Sequence, residues 1–198
     1  MRSVIAALVV VGLAGIVGHA RADDKPFGVG FATVGQALKD LQESAKTDGR
    51  RLFCDGDKDS EVGNGDREIM RVSDAQAKAG LTRCAIFGKD ENGLWSSRRI
   101  GVVGQASEFW VLALDDNGVR RIMQIQAFQP KDSWDATTKA LTDEFGPPNK
   151  KTAQITGWSN SVSEIALAQG KEVNSVFYSD TRLQKIMRER LGLPVAGK

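Results

Sequence analysis

The sequence contains a single histidine, His19, and this histidine lies within the first 22 residues. Those residues have the charged start, the short apolar run and the Ala20-Arg21-Ala22 ending of a secretory signal peptide, so we predict cleavage after Ala22. The mature chain would then lack histidine altogether. This excludes Ser-His-Asp and Cys-His catalysis, histidine metal sites and a histidine pH switch.

A surplus of charge of one sign is also missing. The full sequence has 27 basic and 25 acidic residues. Removal of the signal peptide would take away Arg2 and Arg21 and no acid, which leaves 25 residues of each sign. Because binding to nucleic acid normally shows as a basic surplus, we predict no nucleic-acid partner.

Long hydrophobic runs are missing as well. The apolar run at positions 4–17 is the longest, and its length of about 14 residues falls short of the roughly 20 that span a bilayer. Ile16 follows Leu13-Ala14-Gly15 at the place where a lipoprotein signal carries its cysteine. We therefore expect residues 23–198 to form one α+β domain without a transmembrane segment or lipid anchor, located in the periplasm or secreted.

Only two cysteines are present, Cys54 and Cys84. An even number of cysteines in an exported chain predicts a disulfide, which here would close a loop of about 30 residues. The alternative is a redox-active pair. The sequence lacks the Cys-x-x-Cys spacing typical of such pairs, so we favour a structural bond.

Acidic residues after Cys54 are spaced like the ligands of an EF-hand calcium loop. The five positions that match are Asp55, Asp57, Asp59, Glu61 and Asp66. However, Ser60 stands where that loop needs glycine, and Asp66 replaces the bidentate glutamate. A solvated acidic hairpin is therefore the preferred interpretation, and we predict no metal ion or other cofactor.

Three stretches have apolar residues at helical spacing. The first follows a capping box formed by Thr33 and Gln36, and the second follows Ser133. Their apolar stripes are Val34, Leu38, Leu41 and Ala45 in the first helix and Trp134, Thr138, Leu141 and Phe145 in the second. A third, short helix is predicted at 181–191, before Gly192 and Pro194.

Nine β-like runs lie between and after the first two helices. They cover residues 50–54, 68–73, 81–87, 98–103, 108–114, 119–128, 152–158, 164–168 and 173–178. The predicted fold is α+β, with helices packed on an antiparallel sheet. The caps and stripes of the two long helices match at an offset of 100 residues. This layout suggests a degenerate tandem repeat of two helix-plus-meander halves, 27–128 and 129–180, although two ordinary amphipathic helices could match by coincidence.

The second half carries a family resemblance. Its helix runs into Phe145-Gly146-Pro147-Pro148, and a strand with Trp158 and two apolar strands follow. This arrangement resembles the unit of the SmpA/OmlA family of outer-membrane assembly proteins, and it is similar to the two-repeat β-lactamase-inhibitor-protein-like fold. Phe27-Gly28-Val29-Gly30 resembles the entry of such exported proteins. The resemblance implies a role in envelope assembly, and the missing lipoprotein cysteine is a departure from SmpA/OmlA.

The residues that remain favour binding over catalysis. Trp95 lies beside Gly93 and Ser96-Ser97 in a loop-like context, which makes it the candidate for contact with a partner. We therefore predict a non-catalytic interaction module whose partner is another envelope protein. The alternatives are a factor in assembly or maintenance of the cell envelope and a hydrolase that uses Asp or Glu as general acid and base.

Overall fold

A ten-stranded antiparallel sheet dominates the computed structural model, which describes residues 25–47, 49–57, 68 and 70–194. The strands of this sheet run in the order β3-β4-β7-β8-β12-β11-β10-β9, with β5 beside β4 and β6 beside β7. Their bounds are β3 Arg50–Cys54, β4 Leu81–Lys89, β5 Trp95–Ser97, β6 Arg99–Val102, β7 Gln105–Asp116, β8 Val119–Pro130, β9 Lys150–Lys151, β10 Ile155–Ser159, β11 Ser163–Gln169 and β12 Val173–Asp180. A separate hairpin pairs β1 (Gly28–Val29) with β2 (Ala32–Thr33).

Helices with defined bounds accompany the sheet at four places, and the described residues 68 and 70 are also helical. The helices with defined bounds are α1 (Leu38–Thr47), α2 (Asp74–Lys78), α3 (Trp134–Phe145) and α4 (Thr181–Arg190), and a short 3-10 turn at Lys131–Ser133 leads into α3. Gly146 ends α3 with a φ of 81°, a conformation that glycine adopts without a steric penalty. Asp180 begins α4, since its Oδ1 accepts a hydrogen bond of 2.8 Å from the backbone N–H of Leu183.

One face of the sheet is covered by α1 and α3, and we call it the helix face. Alternation along the strands places apolar side chains on it; in β11, for example, Ile165 and Leu167 are buried while Ala166 between them is half-buried. These side chains form the main core with Leu38 and Leu41 of α1. Other members of this core are Leu141, Trp158, Val176 and Tyr178, against which Trp134 and Phe145 are packed.

The opposite face of the sheet is covered only at two places among the described residues. Leu183, Ile186 and Met187 of α4 lie on a cluster formed by Leu81, Leu112, Leu114 and Met123. A second cluster near β3 and β4 contains Phe53, Met70, Ala85 and Phe87, with Trp95 and Trp110 packed against it. On β10, β11, β12 and part of β8, most side chains of this face stay half-buried or exposed, and these strands position the site considered below.

The predicted α+β class, the large antiparallel sheet and the short C-terminal helix are confirmed. The strand predicted at 68–73 is wrong, because residues 71–73 lie outside any strand and Ser73 caps α2 instead. In that capping box the Ser73 hydroxyl accepts from the N–H of Gln76, and the Gln76 side chain accepts from the N–H of Ser73. The first helix begins at Leu38, later than its predicted cap, although Gln36 Oε1 does accept a 2.9 Å hydrogen bond from the N–H of Thr33.

The two predicted halves share one sheet, because β8 of the first half pairs with β12 of the second over seven residue pairs. The first half contains an additional helix, α2, and the short strand β5. The second half is closer to the predicted helix followed by a meander. The tandem repeat therefore stays a prediction.

Candidate functional site

A patch of partly exposed side chains lies on the second face of the sheet, beside the two covered regions. We call it the open surface. It consists of two rows of cross-strand neighbours and one flanking residue: Trp110, Gln126, Phe177 and Ala166 in the first row, Phe128, Ser175, Ala168 and Ile155 in the second, and Val173 beside them. Directly paired residues point to the same side of a sheet, so these nine side chains share one face.

The exposure of this patch contrasts with that of the helix face on the same strands. Ile125 and Val176 on the helix face are completely buried. On the open surface, Ile155 is 37% exposed and Val173 is 42% exposed, and the aromatic side chains are half-buried. Contiguous apolar surface that stays accessible to water is typical of interaction sites.

The aromatic rings of the open surface are packed against each other in a fixed geometry. The rings of Phe128 and Phe177 are perpendicular, with their centroids 6.4 Å apart. Edge-to-face pairs of this kind stabilise each other, so both rings are held in place before any partner arrives. Trp110 lies next to them on β7 and also packs against the cluster of Phe53 and Phe87.

A cleft of about 550 Å³ opens at one end of the open surface. Phe128, Pro130 and Val173 supply apolar walls, and Arg99 and Glu108 stand at its margin. Arg99 Nη2 lies 3.7 Å from Glu108 Oε1, and both side chains are more than half exposed. The cleft thus has apolar walls and, at its margin, an ion pair without net charge. An apolar centre with a polar rim is typical of protein interfaces.

The other end of the open surface is polar. Gln126 Nε2 donates a hydrogen bond of 2.6 Å to Gln124 Oε1, and Gln124 Nε2 donates one of 3.1 Å to the Ser179 hydroxyl. Along β8 these two amides alternate with apolar side chains that point to the helix face. Gln124 and Gln126 are half-buried on the open side of the sheet, and Ser179 is buried.

Trp95, the predicted partner contact, lies on β5 and is half-buried. Its ring meets Phe53 edge to face at 5.5 Å, and Lys89 Nζ lies 5.4 Å from the ring centroid. Trp95 and Trp110 both pack against the cluster of Phe53 and Phe87. The structure therefore places Trp95 at the margin of the open surface, in a strand and not in a loop.

Cys54 and Cys84 form the predicted disulfide. The two residues are direct cross-strand partners on β3 and β4, and their side chains lie on the helix face. Cys54 is 3% exposed and Cys84 is completely buried. Because a thiol reagent cannot reach buried sulfurs without opening of the structure, this burial agrees with a structural role.

Two residues of the predicted calcium loop, Asp55 and Asp57, accept hydrogen bonds from backbone N–H groups. Asp55 Oδ2 accepts a hydrogen bond of 3.0 Å from the N–H of Val72, and Asp57 Oδ2 accepts one of 2.9 Å from the N–H of Cys54. Asp59, Glu61 and Asp66 lie outside the described residues. Within the described residues, no group of three or more side chains is arranged to hold a metal ion.

Nearby cations shift the pKa of the Asp116 carboxyl group. The Arg182 guanidinium on α4 donates a 2.8 Å hydrogen bond to Asp116 Oδ2, and Arg121 Nε lies 3.5 Å from the same oxygen. The hydrogen bond from Arg182, together with the attraction of these cations, lowers the pKa of the Asp116 carboxyl group. The pair joins α4 to the β7–β8 hairpin, so we assign it a structural role.

Tyr178 is the only tyrosine of the chain, and it is completely buried on the helix face. Burial, with a smaller contribution from Glu144, raises the pKa of its phenol far above the ordinary value. Complete burial among the apolar side chains of the helix face makes Tyr178 a core residue.

In comparisons with known proteins, no family model, no curated protein and no solved structure matches the chain. The resemblance to the SmpA/OmlA family and to β-lactamase-inhibitor proteins therefore stays a prediction. Among the helices of the described residues, none has the length and apolar character needed to cross a membrane.

Proposed function

We propose that this chain is an exported, non-catalytic interaction module whose open surface binds another protein of the cell envelope. The observation that carries the proposal is the group of Phe128, Phe177, Ile155 and Val173 on an accessible sheet face, since the largest apolar patch on a protein surface, at a few hundred Å², is often functional. The disulfide is compatible with an oxidising compartment, and the signal-peptide pattern supplies the route of export.

The size of the patch indicates what kind of partner fits. The open surface spans five strands, which makes four steps of about 4.8 Å each, and two rows of residues along the strands. Its dimensions are therefore roughly 20 by 15 Å, or about 300 Å². A stable complex buries about 800 Å² on each partner. A partner must therefore extend beyond the apolar patch onto its margins, where Trp95 and the Arg99–Glu108 pair lie.

The apolar cleft beside Val173 supplies the anchoring point of this proposed interface. Interface energy concentrates in a few side chains that fill pockets, and aromatic residues are enriched among them. Phe128 and Pro130 form a preformed wall for such a side chain, because both sit on the rigid strand β8. The rings of Phe128 and Phe177 should lose little conformational entropy on binding, because their mutual packing already restricts them.

The hydrolase alternative has less support. A general acid of that mechanism needs a carboxyl group with a raised pKa, and burial or a like charge would have to supply the shift. Arg182 lowers the pKa of the Asp116 carboxyl group, which is the opposite of the shift that a general acid needs. The role in envelope assembly or maintenance is a specific form of the interaction proposal, and it depends on the identity of the partner.

The proposal can be tested with two substitutions at valines of equal exposure. Val173 on the open surface and Val119 at the β7–β8 turn are both 42% exposed. Val173→Asp places a charge in the apolar cleft, while Val119→Asp places the same charge away from it. We expect mature Val173→Asp protein to lose the envelope partner that wild-type and Val119→Asp protein retain in quantitative affinity purification. Equal recovery of the same partner by both variants would contradict the proposed surface.

A further inference from the structure

Two aromatic side chains of the open surface lie in one row with a glutamine between them. Gln126 on β8 is the direct cross-strand partner of Trp110 on β7 and of Phe177 on β12. Trp110 and Phe177 are therefore two strand steps apart, and at about 4.8 Å per step their backbone positions are separated by roughly 9.6 Å. All three side chains are half-buried on the accessible face. The row thus presents two rings at a fixed spacing.

This spacing matches the repeat of one regular chain conformation. A polyproline II helix has three residues per turn and rises about 3.1 Å per residue, so residues i and i+3 lie on the same side about 9.3 Å apart. A β-strand repeats its side after about 6.7 Å. The α-helical repeats i, i+4 and i, i+7 are about 6 Å and 10.5 Å long. A polyproline II segment that crosses the strands therefore places one proline ring on Trp110 and another on Phe177.

Gln126 supplies a hydrogen-bond donor between the two rings. Its Nε2 donates one hydrogen to Gln124 Oε1, and a side-chain amide nitrogen carries two. The carbonyl groups of a polyproline II segment have no hydrogen-bond partner within the segment, whereas those of an α-helix are bonded inside the helix. The second N–H of Gln126 therefore suits a bound chain whose carbonyl groups are still open.

Side chains, and not strand addition, must hold the partner on this face. Both β8 and β12 have a neighbouring strand on each side, so their backbone groups are bonded within the sheet. The side chains that define the open surface are all uncharged. Beyond Phe177 the row continues with Ala166, whose small side chain leaves that side of the ring accessible. An uncharged, apolar segment is therefore the chemistry that fits.

We infer that the open surface recognises a proline-rich segment of its partner, bound in the polyproline II conformation across β7, β8 and β12. Trp110 and Phe177 hold two prolines three positions apart, and Gln126 donates a hydrogen bond to a carbonyl group between them. Grooves lined by aromatic side chains bind such segments, because the preformed polyproline II helix loses little conformational entropy. The inference rests on the proposed binding role of the open surface and adds the chemical class of what is bound.

The test titrates the purified, disulfide-bonded exported protein with a hexaproline peptide whose ends are blocked and whose six residues span about 19 Å. NMR follows the backbone N–H signals of the protein. We expect saturable shifts at Trp110, Gln126 and Phe177, and none with a hexapeptide of alternating Gly and Ser. Absence of saturable shifts with hexaproline, or equal shifts with the Gly-Ser peptide, would overturn the inference. Tighter binding of an alanine-based helical peptide with Leu at positions i and i+7 would overturn it as well.

Matched substitutions locate the peptide on the row. Trp110 and Trp95 are both half-buried against the cluster of Phe53 and Phe87, so replacement by leucine disturbs the same cluster at either position. Trp95 lies on β5, outside the row. Trp110→Leu should weaken hexaproline binding about tenfold or more, and Trp95→Leu should weaken it less than about twofold. Equal weakening by both substitutions would overturn the inference.

Gln126→Leu provides a second variant that leaves both rings in place. Loss of the amide donor between Trp110 and Phe177 should weaken hexaproline binding about threefold or more. Hexaproline affinity equal to that of wild-type protein would contradict the role given to this amide and overturn the inference.

Failure of this inference can be told from failure of the proposed function. If Val173→Asp protein loses the envelope partner while hexaproline does not bind the wild-type protein, the class of ligand is wrong and the open surface stands as the binding site. If Val173→Asp and Val119→Asp protein recover that partner equally, the open surface itself is wrong.

Discussion

The indole Nε1 of Trp158 donates a hydrogen bond of 2.9 Å to the carbonyl oxygen of Gly146. Trp158 lies on β10 and is 3% exposed, and Gly146 is the residue that ends α3. The carbonyl groups at a helix end need partners outside the helix. This one bond therefore fixes the end of α3 on the sheet, and it accounts for a tryptophan at this position of the strand.

Replacement of Trp158 by alanine should destabilise the protein strongly. Loss of a buried tryptophan, with the cavity left behind, costs roughly 3–5 kcal/mol in free energy of unfolding. Trp158→Phe keeps most of the ring and removes the donor to Gly146, so it should cost about 1–2 kcal/mol. Urea denaturation followed by circular dichroism measures both values. Unfolding of Trp158→Ala at the wild-type midpoint would mean that the indole is not packed beneath α3.

Gln129 joins the sheet to the start of α3 through a buried set of hydrogen bonds. Its Nε2 donates to the Val102 carbonyl at 3.0 Å and to the Ser107 hydroxyl at 3.2 Å, and its Oε1 accepts from Thr137 at 2.7 Å. Gln129→Leu leaves these buried groups unpaired, which should cost about 2–4 kcal/mol in free energy of unfolding. Chemical denaturation provides the measurement.

Gln126 on the same strand supplies the control for Gln129. It lies half-buried on the open surface, and its Nε2 donates a hydrogen bond to another half-buried amide, that of Gln124. Gln126→Leu should change the free energy of unfolding by about 0.5 kcal/mol or less. A loss at Gln126 as large as that at Gln129 would show that the second face of the sheet is covered after all.

The disulfide between Cys54 and Cys84 should stabilise the fold and resist reduction in the native state. Closure of its loop, with a sequence separation of 30 residues, predicts about 3–4 kcal/mol of stabilisation on the chain-entropy account. Cys54→Ala/Cys84→Ala protein should lose this amount in denaturation. Thiol trapping tests the burial: native protein should be reduced slowly by a reductant that acts at once in urea. Fast reduction of native protein would place the sulfurs at the surface.

The ion pair of Asp116 and Arg182 should make stability depend on pH in the acidic range. Because the pKa of Asp116 is lowered in the folded state, the folded protein binds fewer protons than the unfolded chain. The contribution of this carboxylate is therefore complete above its unfolded pKa of about 4 and is lost as the pH falls through the lower folded value. Asp116→Asn should lower the urea midpoint at pH 7 and have little effect near pH 2. An effect that grows with acidification would contradict this assignment.

Local sequence patterns predicted the secondary structure well wherever periodicity and turn residues agreed. In β11 the buried Ile165 and Leu167 alternate with more exposed neighbours, and Gly146 with Pro147 marks the end of α3. The prediction of a strand at 68–73 overlooked the capping box of Ser73 and Gln76, which begins a helix at Asp74. That capping box was the signal in the sequence for α2.

The open surface could not be predicted from the sequence, because alternation does not say which face of a strand remains uncovered. Gln126 and Phe128 alternate with Ile125 and Ala127 along β8, and only the packing of α1 and α3 on one side of the sheet distinguishes the two faces. Trp110 belongs to the open surface, and its position inside the predicted β-like run 108–114 carries no signal of this. Trp95 was proposed from its glycine and serine neighbours, and pairing of β5 with β4 places it beside Phe53.

Site-specific photo-crosslinking tests the central claim most directly. A photoreactive phenylalanine analogue at Val173 or Ile155 reports neighbours of the open surface, and the same analogue at Val119 controls for an equally exposed site. In intact cells that export the protein, we expect one discrete crosslinked product from Val173 and Ile155, absent from Val119 and suppressed when Phe177→Ala is added. Crosslinks of the same product and yield from all three positions, or from Val119 alone, would contradict the assignment of the open surface as the binding site.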